Sequence, residues 1–186
     1  MSEKPDATDA GGCSARMAMV VVLAVGAVVY AADQASKVWA LTHLQPGVRT
    51  PWWGEFLQWH LIFNPGAAFS IGTDVTWLFT MIQGGVTVGV IAFSSRLRSW
   101  WWVIGAGLVL GGAAGNVTDR LIRPPGIGVG HVVDFLELPH WPIFNVADAA
   151  IVTAAVIIAV ATLWGIGPTG RIEDPKQEVK GDEAHG

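Results

Sequence analysis

The sequence is poor in charged residues and in cysteine. Only 14% of its 186 residues are Asp, Glu, Lys or Arg, whereas an ordinary soluble domain carries about 25%. The single cysteine, Cys13, excludes a disulfide framework and a cysteine-based metal site. The net charge of −4 and the lack of a basic cluster argue against a nucleic-acid-binding protein. With 52% hydrophobic residues, the composition favours a membrane protein.

Several catalytic motifs are also missing from the sequence. It contains no His-Glu-x-x-His zinc motif and no Gly-x-Ser-x-Gly nucleophile elbow. Its five histidines show none of the spacings that metal ligands adopt. We therefore predict that the protein uses no metal and no cofactor.

The apolar residues stand in four blocks, each close to the length that crosses a bilayer. The predicted spans are residues 17–37, 75–93, 100–116 and 147–166, within one domain at 17–166. Residues 44–73 are rich in aromatic and branched residues between Pro and Gly, which predicts a short antiparallel sheet or, alternatively, an irregular loop. The predicted fold is a mainly α membrane protein with four transmembrane helices and a small extracytoplasmic β-sheet. Residues 1–16 and 167–186 are predicted to be disordered tails.

Basic residues indicate how the chain crosses the membrane. The loop between the second and third spans carries Arg96 and Arg98, and basic residues also precede the first span and follow the fourth. The positive-inside rule places these segments, and both termini, in the cytoplasm. The opposite side carries four basic residues, so the bias is modest. This orientation brings the polar ends of the spans together at the extracytoplasmic face.

Asp134 and Asp148 are the candidate catalytic residues. Asp134 lies in a short apolar segment, and Asp148 opens the fourth span three residues after Asn145. Two carboxylates held close in a partly dry site cannot both ionise easily, so they can share a proton and activate a water. Spacing alone also allows two separate helix-end carboxylates that asparagines and backbone groups satisfy.

Two further clusters lie at helix ends. Asp33 and Lys37 are four residues apart, which predicts an ion pair that holds the end of the first span. Asn116, Asp119 and Arg120 share one face of a helix end. We interpret Asp119 as a structural partner of an arginine, either Arg120 or a neighbour. Arg120 itself is suited to holding a carboxylate or a substrate carbonyl.

Five ordered motifs carry a resemblance to a known family. They are Asp33-Gln-x-x-Lys37, Asn64-x-Gly-x-Ala-Phe69, Gly115-Asn-x-x-Asp-Arg120, Val133-Asp-Phe135 and Phe144-Asn-x-Ala-Asp148. Together they closely resemble the lipoprotein signal peptidases (signal peptidase II) over residues 31–151. Two features depart from the family pattern: an apparent insert at residues 124–130 and a short loop between Asp134 and Asn145.

The resemblance implies an aspartic endopeptidase of the bacterial cytoplasmic membrane, with a sheet that cradles substrate and no metal. It would remove signal peptides from diacylglyceryl-modified prolipoproteins, cutting before the lipid-modified cysteine. The implied partners are these prolipoproteins and membrane lipids, with no nucleic acid, and the protein would be a monomer. The implied residues are Asp134 and Asp148 for catalysis, Asn64, Gly66, Asn116, Arg120 and Asn145 for substrate, and Asp33, Lys37 and Asp119 for support.

Two other functions remain open from the residues alone. A small proton-linked transporter would use acids as relays near mid-bilayer, yet the acids here stand at span ends and Gln83 is the one clearly polar mid-span residue. A non-catalytic scaffold would tolerate the loss of either aspartate.

Overall fold

The computed structural model describes residues 12–66 and 76–170 of the chain. Four of its helices are long and apolar enough to cross a membrane. With the strands they confirm the predicted fold class of a helical membrane protein with a small sheet. The elements are α1 Ala15–His43, β1 Arg49–Trp53, β2 Leu57–Asn64, α2 Thr76–Phe93, a 3₁₀ turn at Ser94–Arg96, α3 Trp100–Ile122, β3 Val132–Glu137 and α4 Val146–Leu163.

Helix α1 is longer than its predicted span at both ends. Ser14 caps its start, because its hydroxyl oxygen accepts from the backbone N–H of Met17 at 3.3 Å. Cys13 just before it is buried, and its N–H donates to the carbonyl of Arg98 at 3.0 Å. The prediction of a disordered tail was therefore wrong for residues 12–16. The rest of that tail, residues 1–11, lies outside the described residues.

The far end of the fourth helix also differs from the prediction. Helix α4 ends at Leu163, and residues 164–170 continue as an ordered turn. The backbone N–H of Arg98 donates to the carbonyl of Pro168 at 2.8 Å. The start of α1, the α2–α3 connection and the segment after α4 therefore meet at one end of the bundle. The predicted disorder of residues 171–186 lies outside the described residues.

Helix α3 is the central helix of the bundle, and its glycines allow close packing. A Cβ atom on Gly107 would lie 2.6 Å from the Cβ of Val25 on α1, and one on Gly112 would lie 2.6 Å from the carbonyl oxygen of Ala147 on α4. Real side chains do not approach this closely, so both contacts require glycine. Small residues at helix interfaces let membrane helices pack by van der Waals contact.

We expect Gly111→Ala to destabilise the bundle. Its added Cβ would stand 2.5 Å from the Cβ of Val29 and 2.6 Å from the carbonyl oxygen of Gly26, so α1 and α3 must separate, at a cost of about 1–3 kcal/mol. Gly89→Ala on α2 is the matched control, because no atom of the described residues outside its own helix backbone lies within 4 Å of its Cβ position. Thermal unfolding in detergent measures both variants, and an equal effect would contradict the packing described.

The sheet has a strand that the sequence did not predict. β1, β2 and β3 pair antiparallel in that order, and β3 comes from the connection between α3 and α4. Assigning the sheet to residues 44–73 alone was therefore incomplete, and residues 67–73 of that range lie outside the described part. In the register of β2 with β3, Ile62 faces Asp134.

One face of this sheet packs onto the end of α1. Leu61, Val133 and Phe135 form a buried cluster with Ala40 of α1. Side chains alternate between the two faces of a strand, so the packing of Val133 and Phe135 directs Asp134 away from this core. The sheet therefore presents Asp134 at the end of the bundle where α1 and α3 end and α4 begins.

Candidate active site

Lys37 is the centre of a buried polar cluster between the helices. Its Nζ lies 2.8 Å from Asp33 Oδ2, 2.9 Å from Asp119 Oδ2 and 2.9 Å from Asn116 Oδ1. Lys37, Asp33 and Asp119 have no exposed surface. An ammonium group has three donors, and each has an acceptor here. The Asp33–Lys37 pair is thus part of a network inside the protein and is not an exposed pair at the membrane interface.

The start of α4 is held by three side chains. Asp33 Oδ1 accepts from the backbone N–H of Ala147 at 3.0 Å. Asn145 caps the helix, accepting from the N–H of Asp148 at 2.9 Å, while Asp148 Oδ2 accepts from the N–H of Asn145 at 3.2 Å. This reciprocal capping box satisfies donors that a helix start leaves free. It also places the Asp148 carboxylate in the first turn of α4.

Two asparagines join the predicted catalytic carboxylates. The Nδ2 of Asn145 donates to Asp134 Oδ1 at 2.7 Å, and the Nδ2 of Asn116 donates to Asp148 Oδ1 at 2.9 Å. The Nδ2 of Asn145 also donates to Asn116 Oδ1 at 3.2 Å. From the opposite side, Asn64 Nδ2 donates to Asp134 Oδ2 at 2.8 Å. The structure thus brings Asp134 and Asp148 to one site, although they are 14 residues apart in sequence.

The two carboxylates have different surroundings. Asp134 has only 1% of its surface exposed, whereas Asp148 is partly exposed. Burial and the nearby carboxylate of Asp148 raise the pKa of Asp134 to about 7, although the hydrogen bonds from Asn64 and Asn145 oppose this shift. Near neutral pH, Asp134 therefore exchanges a proton readily. Such a carboxyl beside a second carboxylate is able to act in acid–base chemistry.

Arg120 does not pair with Asp119. Its Nε donates to Gln83 Oε1 at 3.4 Å, and its guanidinium carbon lies 5.7 Å from the ring centroid of Phe79. Its Nη1 is buried and has no hydrogen-bond partner among the described residues. A Cβ atom on Gly66 would lie 3.7 Å from its Nη2, so this glycine borders the guanidinium.

The arginine that pairs with Asp119 is Arg123. Its Nε lies 2.6 Å from Asp119 Oδ1. The sequence interpretation had left the partner of Asp119 as Arg120 or a neighbour, although the four-residue spacing between Asp119 and Arg123 already favoured a contact on one helix face. Asp119 Oδ2 also accepts from the backbone N–H of Val133 at 3.2 Å. Asp119 therefore joins α3 to α1 through Lys37 and to the sheet through β3.

Gln34 is a site residue that the sequence interpretation did not single out. Its Nε2 donates to Asp33 Oδ2 at 3.0 Å and to the carbonyl of Gly115 at 3.1 Å. A Cβ atom on Gly115 would collide with the Asp33 carboxylate. The motif Asp33-Gln-x-x-Lys37 contained this glutamine, but its partner on α3 is 81 residues away. Within the described ranges, no three His, Cys, Asp or Glu side chains are grouped as metal ligands would be.

Comparison with known proteins gives the family. The model of the family described as "Signal peptidase (SPase) II" matches residues 25–164. A lipoprotein signal peptidase of Rhodococcus jostii is 46% identical over 153 residues, covering 81% of this chain and 76% of that protein. The corresponding Mycobacterium avium protein is 43% identical over 165 residues, covering 89% of this chain and 91% of that protein.

Two solved structures of bacterial membrane enzymes share the fold. One matches with a TM-score of 0.68 and 25% identity, over 76% of this chain and 92% of that chain. The other, at 23% identity, matches with a TM-score of 0.69 over 82% and 93% and supports the fold alone. Because this chain belongs to a peptidase family, the transporter and scaffold alternatives are not supported. The chain, with its four apolar helices and buried polar cluster, belongs to the signal peptidase II family of membrane peptidases.

Proposed function

We propose that this protein is an aspartic endopeptidase that removes signal peptides from diacylglyceryl-modified prolipoproteins, cutting before the lipid-modified cysteine. The observation that carries the proposal is the hydrogen-bonded connection of Asp134 and Asp148 through Asn145 and Asn116. The names of the similar proteins, which are lipoprotein signal peptidases, support the substrate class.

Asp134 and Asp148 divide the work of peptide hydrolysis in this proposal. Asp134 is deeply buried and holds the proton near neutral pH, because its pKa is about 7. Asp148, which is better exposed, acts as the base and takes one proton from a water. The water oxygen bonds to the scissile carbonyl carbon while Asp134 gives its proton to the carbonyl oxygen. The intermediate then returns a proton to Asp134, Asp148 protonates the leaving nitrogen, and the C–N bond breaks.

Asn116 and Asn145 position the catalytic carboxylates in this proposal. Asn145 is fully buried and Asn116 is 2% exposed, and both amides are used by Asp134, Asp148 and Lys37. The resemblance had implied that both residues bind substrate. Their contacts instead favour a role in positioning the carboxylates. Hydrogen bonds of this kind fix a catalytic group in its productive geometry.

Arg120, Gly66 and Asn64 are the proposed substrate contacts. The buried Nη1 of Arg120 has no partner among the described residues, and leaving such a donor unsatisfied costs about 1–3 kcal/mol. A substrate carbonyl would satisfy it. Asn64 accepts from the N–H of Gly66 at 2.8 Å and donates to Asp134 at 2.8 Å, so it connects this segment to the catalytic carboxyl. The remainder of this motif, residues 67–69, lies outside the described residues.

We also propose that the site faces the extracytoplasmic side of the bacterial cytoplasmic membrane and that both termini are cytoplasmic. The α2–α3 connection, which carries Arg96 and Arg98, lies at the end of the bundle opposite to Asp148. The positive-inside rule makes that end cytoplasmic. A substrate with its lipid anchor in the bilayer would then present its cleavage point at the depth of the carboxylates. The protein would act as a monomer, because one chain supplies the whole cluster.

The proposed substrate is tested with the purified full chain in detergent. Incubation with a diacylglyceryl-modified prolipoprotein is expected to release the signal peptide, and a chelator should not slow this release. The same precursor without the diacylglyceryl group is the control, and it should remain uncut. Equal cleavage of both precursors would contradict the proposed specificity.

The rate of cleavage is expected to fall as the pH rises above about 7. The folded-state pKa of Asp134 is raised from 3.8 to about 7, so above this pH it loses the proton that the mechanism requires. The decline in kcat/KM should approach tenfold per pH unit. Measuring the pH–rate profile between pH 5 and about 9 tests this expectation. A flat profile over this range would exclude the assigned role of Asp134.

The raised pKa of Asp134 also makes the free energy of unfolding depend on pH. Between pH 3.8 and about 7, the folded protein keeps the proton on Asp134 while the unfolded chain loses it. The contribution of Asp134 to stability is therefore full below the lower value and is lost as the pH rises through the upper one. Asp134→Asn should remove this component of the pH dependence.

A further inference from the structure

A groove lies near the site but on the other side of the sheet. It has a volume of about 490 Å³, and its lining residues are Leu41, Phe63, Arg123, Pro124, Pro125 and His131. Phe63 follows Ile62 and precedes Asn64 in β2, so it points to the opposite face from those residues. The proposed catalytic mechanism uses none of the groove residues.

The position of the groove matches the membrane interface. It lies where α1 ends at His43 and α3 ends at Ile122, which are the ends of two apolar spans. Ile122 and Ile127, which stand just before and after residues 123–125 in the sequence, are 71% and 86% exposed, as expected for side chains in contact with lipid. Pro124 and Pro125, which follow the end of α3, build one wall of the groove.

The groove combines an apolar lining with two groups that can bind an anion. Arg123 uses Nε for its ion pair with Asp119 at 2.6 Å, and no bond of its terminal amino groups is found among the described residues. A guanidinium has five donors in a planar fork, so the remaining donors suit a phosphate. His131 stands beside it on the same groove and adds a ring N–H donor.

The apolar lining together with the two polar groups fits a phospholipid better than the diacylglyceryl group of the proposed substrate. The diacylglyceryl group of the proposed substrate has acyl chains but no phosphate, so it would give no anionic partner to the terminal amino groups of Arg123 or to the ring of His131. A phospholipid supplies both parts, with an acyl chain for Leu41, Phe63 and the prolines and a phosphate for the two polar groups. A net negative phospholipid is favoured over a zwitterionic one because it carries no cation of its own next to the phosphate.

We propose that this groove is a binding site for one anionic phospholipid, separate from the substrate site. The headgroup phosphate binds Arg123 and His131, and an acyl chain occupies the apolar part. Since Asp119 connects Arg123 to Lys37, the lipid also stabilises the cluster that holds the carboxylates. This inference does not depend on the proposed catalytic mechanism.

Native mass spectrometry of the full chain in detergent tests the site. The chain is incubated with phosphatidylglycerol, phosphatidylcholine or diacylglycerol, all with the same acyl chains. One phosphatidylglycerol is expected to stay bound, and its binding should raise the thermal unfolding midpoint. His131→Leu removes the ring N–H donor and Arg123→Gln removes the cation, so each should weaken this binding about tenfold.

Two comparisons keep the test decisive. Arg96→Gln removes an exposed cation at the opposite end of the bundle and should leave phosphatidylglycerol binding unchanged. If Arg123→Gln fails to fold because Asp119 loses one of its two cationic partners, His131→Leu alone still decides. Equal retention of all three lipids, or phosphatidylglycerol binding that neither groove variant weakens, would overturn the proposal. Preferred retention of diacylglycerol would overturn it as well and would assign the groove to the substrate.

Discussion

Replacing Asp134 or Asp148 by asparagine is expected to reduce signal-peptide release by a factor of about 10²–10⁴ or more. Asparagine has nearly the same shape and retains one oxygen, so position 134 can still accept from Asn145 and position 148 from Asn116. The hydrogen bond to the second oxygen of each carboxylate is lost. What is lost is the ability to hold and exchange a proton. Substrate binding should therefore survive in both variants while the chemical step fails.

The two substitutions are also expected to be non-additive. If Asp134 and Asp148 act as one unit on one water, the double variant should be about as slow as either single variant. Single-turnover cleavage of a diacylglyceryl-modified prolipoprotein separates the chemical step from binding. Nearly full cleavage by both single variants would remove the proposed mechanism.

Glu137→Gln is the matched control for these variants. Glu137 lies on β3 with Asp134 and is paired with Arg49 and His60 at distances of 2.8 Å. The Arg49 guanidinium holds the pKa of Glu137 below its ordinary value. The Arg49 side of this cluster is exposed, and Glu137 and His60 are partly buried. Glutamine keeps an oxygen that can accept from either partner, and no bond of Glu137 to Asp134 or Asp148 is found among the described residues, so the variant should cleave at close to the wild-type rate. A loss as large as that of Asp134→Asn would mean that any change in the sheet, and not the missing acid, stops the reaction.

Lys37→Met is expected to give the largest loss of stability. It would leave the buried carboxylates of Asp33 and Asp119 without their shared cation, and removing one partner of a buried ion pair costs about 3–5 kcal/mol. Asn116 would lose the same donor, so the amide that orients Asp148 would be less well fixed. Thermal unfolding and the cleavage rate should both fall.

A double variant separates the charge effect from lost packing. Lys37→Met combined with Asp33→Asn removes the carboxylate whose one cationic partner among the described residues is Lys37, whereas Asp119 keeps Arg123, so it should recover part of the stability that Lys37→Met loses. Arg16→Met is the control, because it removes an exposed cation from the same helix and should have little effect. If the double variant is less stable than Lys37→Met, the buried network does not act as described.

The fold followed from the sequence where local pattern was sufficient. Four apolar blocks predicted four helices, because crossing a bilayer requires about 20 apolar residues in a row. The boundaries were less accurate at polar residues. The sequence ended the third span at Asn116, whereas α3 continues to Ile122, since Lys37 and Arg123 satisfy Asp119 inside the structure. A window of sequence contains no information on partners that are 80 residues away.

The third strand shows the same limit in the sheet. Residues 132–137 are a short apolar run without clear alternation, and they become a strand by pairing with β2. Their pairing partners are about 70 residues earlier in the chain. Such non-local pairing is decided by the packing of Val133 and Phe135 on α1 and not by local propensity.

The sequence by itself determined the class of protein and the residues of interest, because apolar blocks, charges and short motifs are properties of a linear chain. Only the tertiary structure decided how these residues are used. It placed Lys37 between two carboxylates, assigned Arg123 and not Arg120 to Asp119, and gave Asn116 and Asn145 the role of joining Asp134 to Asp148. The physical reason is that a buried polar group is stable only with a partner in the correct geometry, and the packing of the helices and the sheet selects that partner.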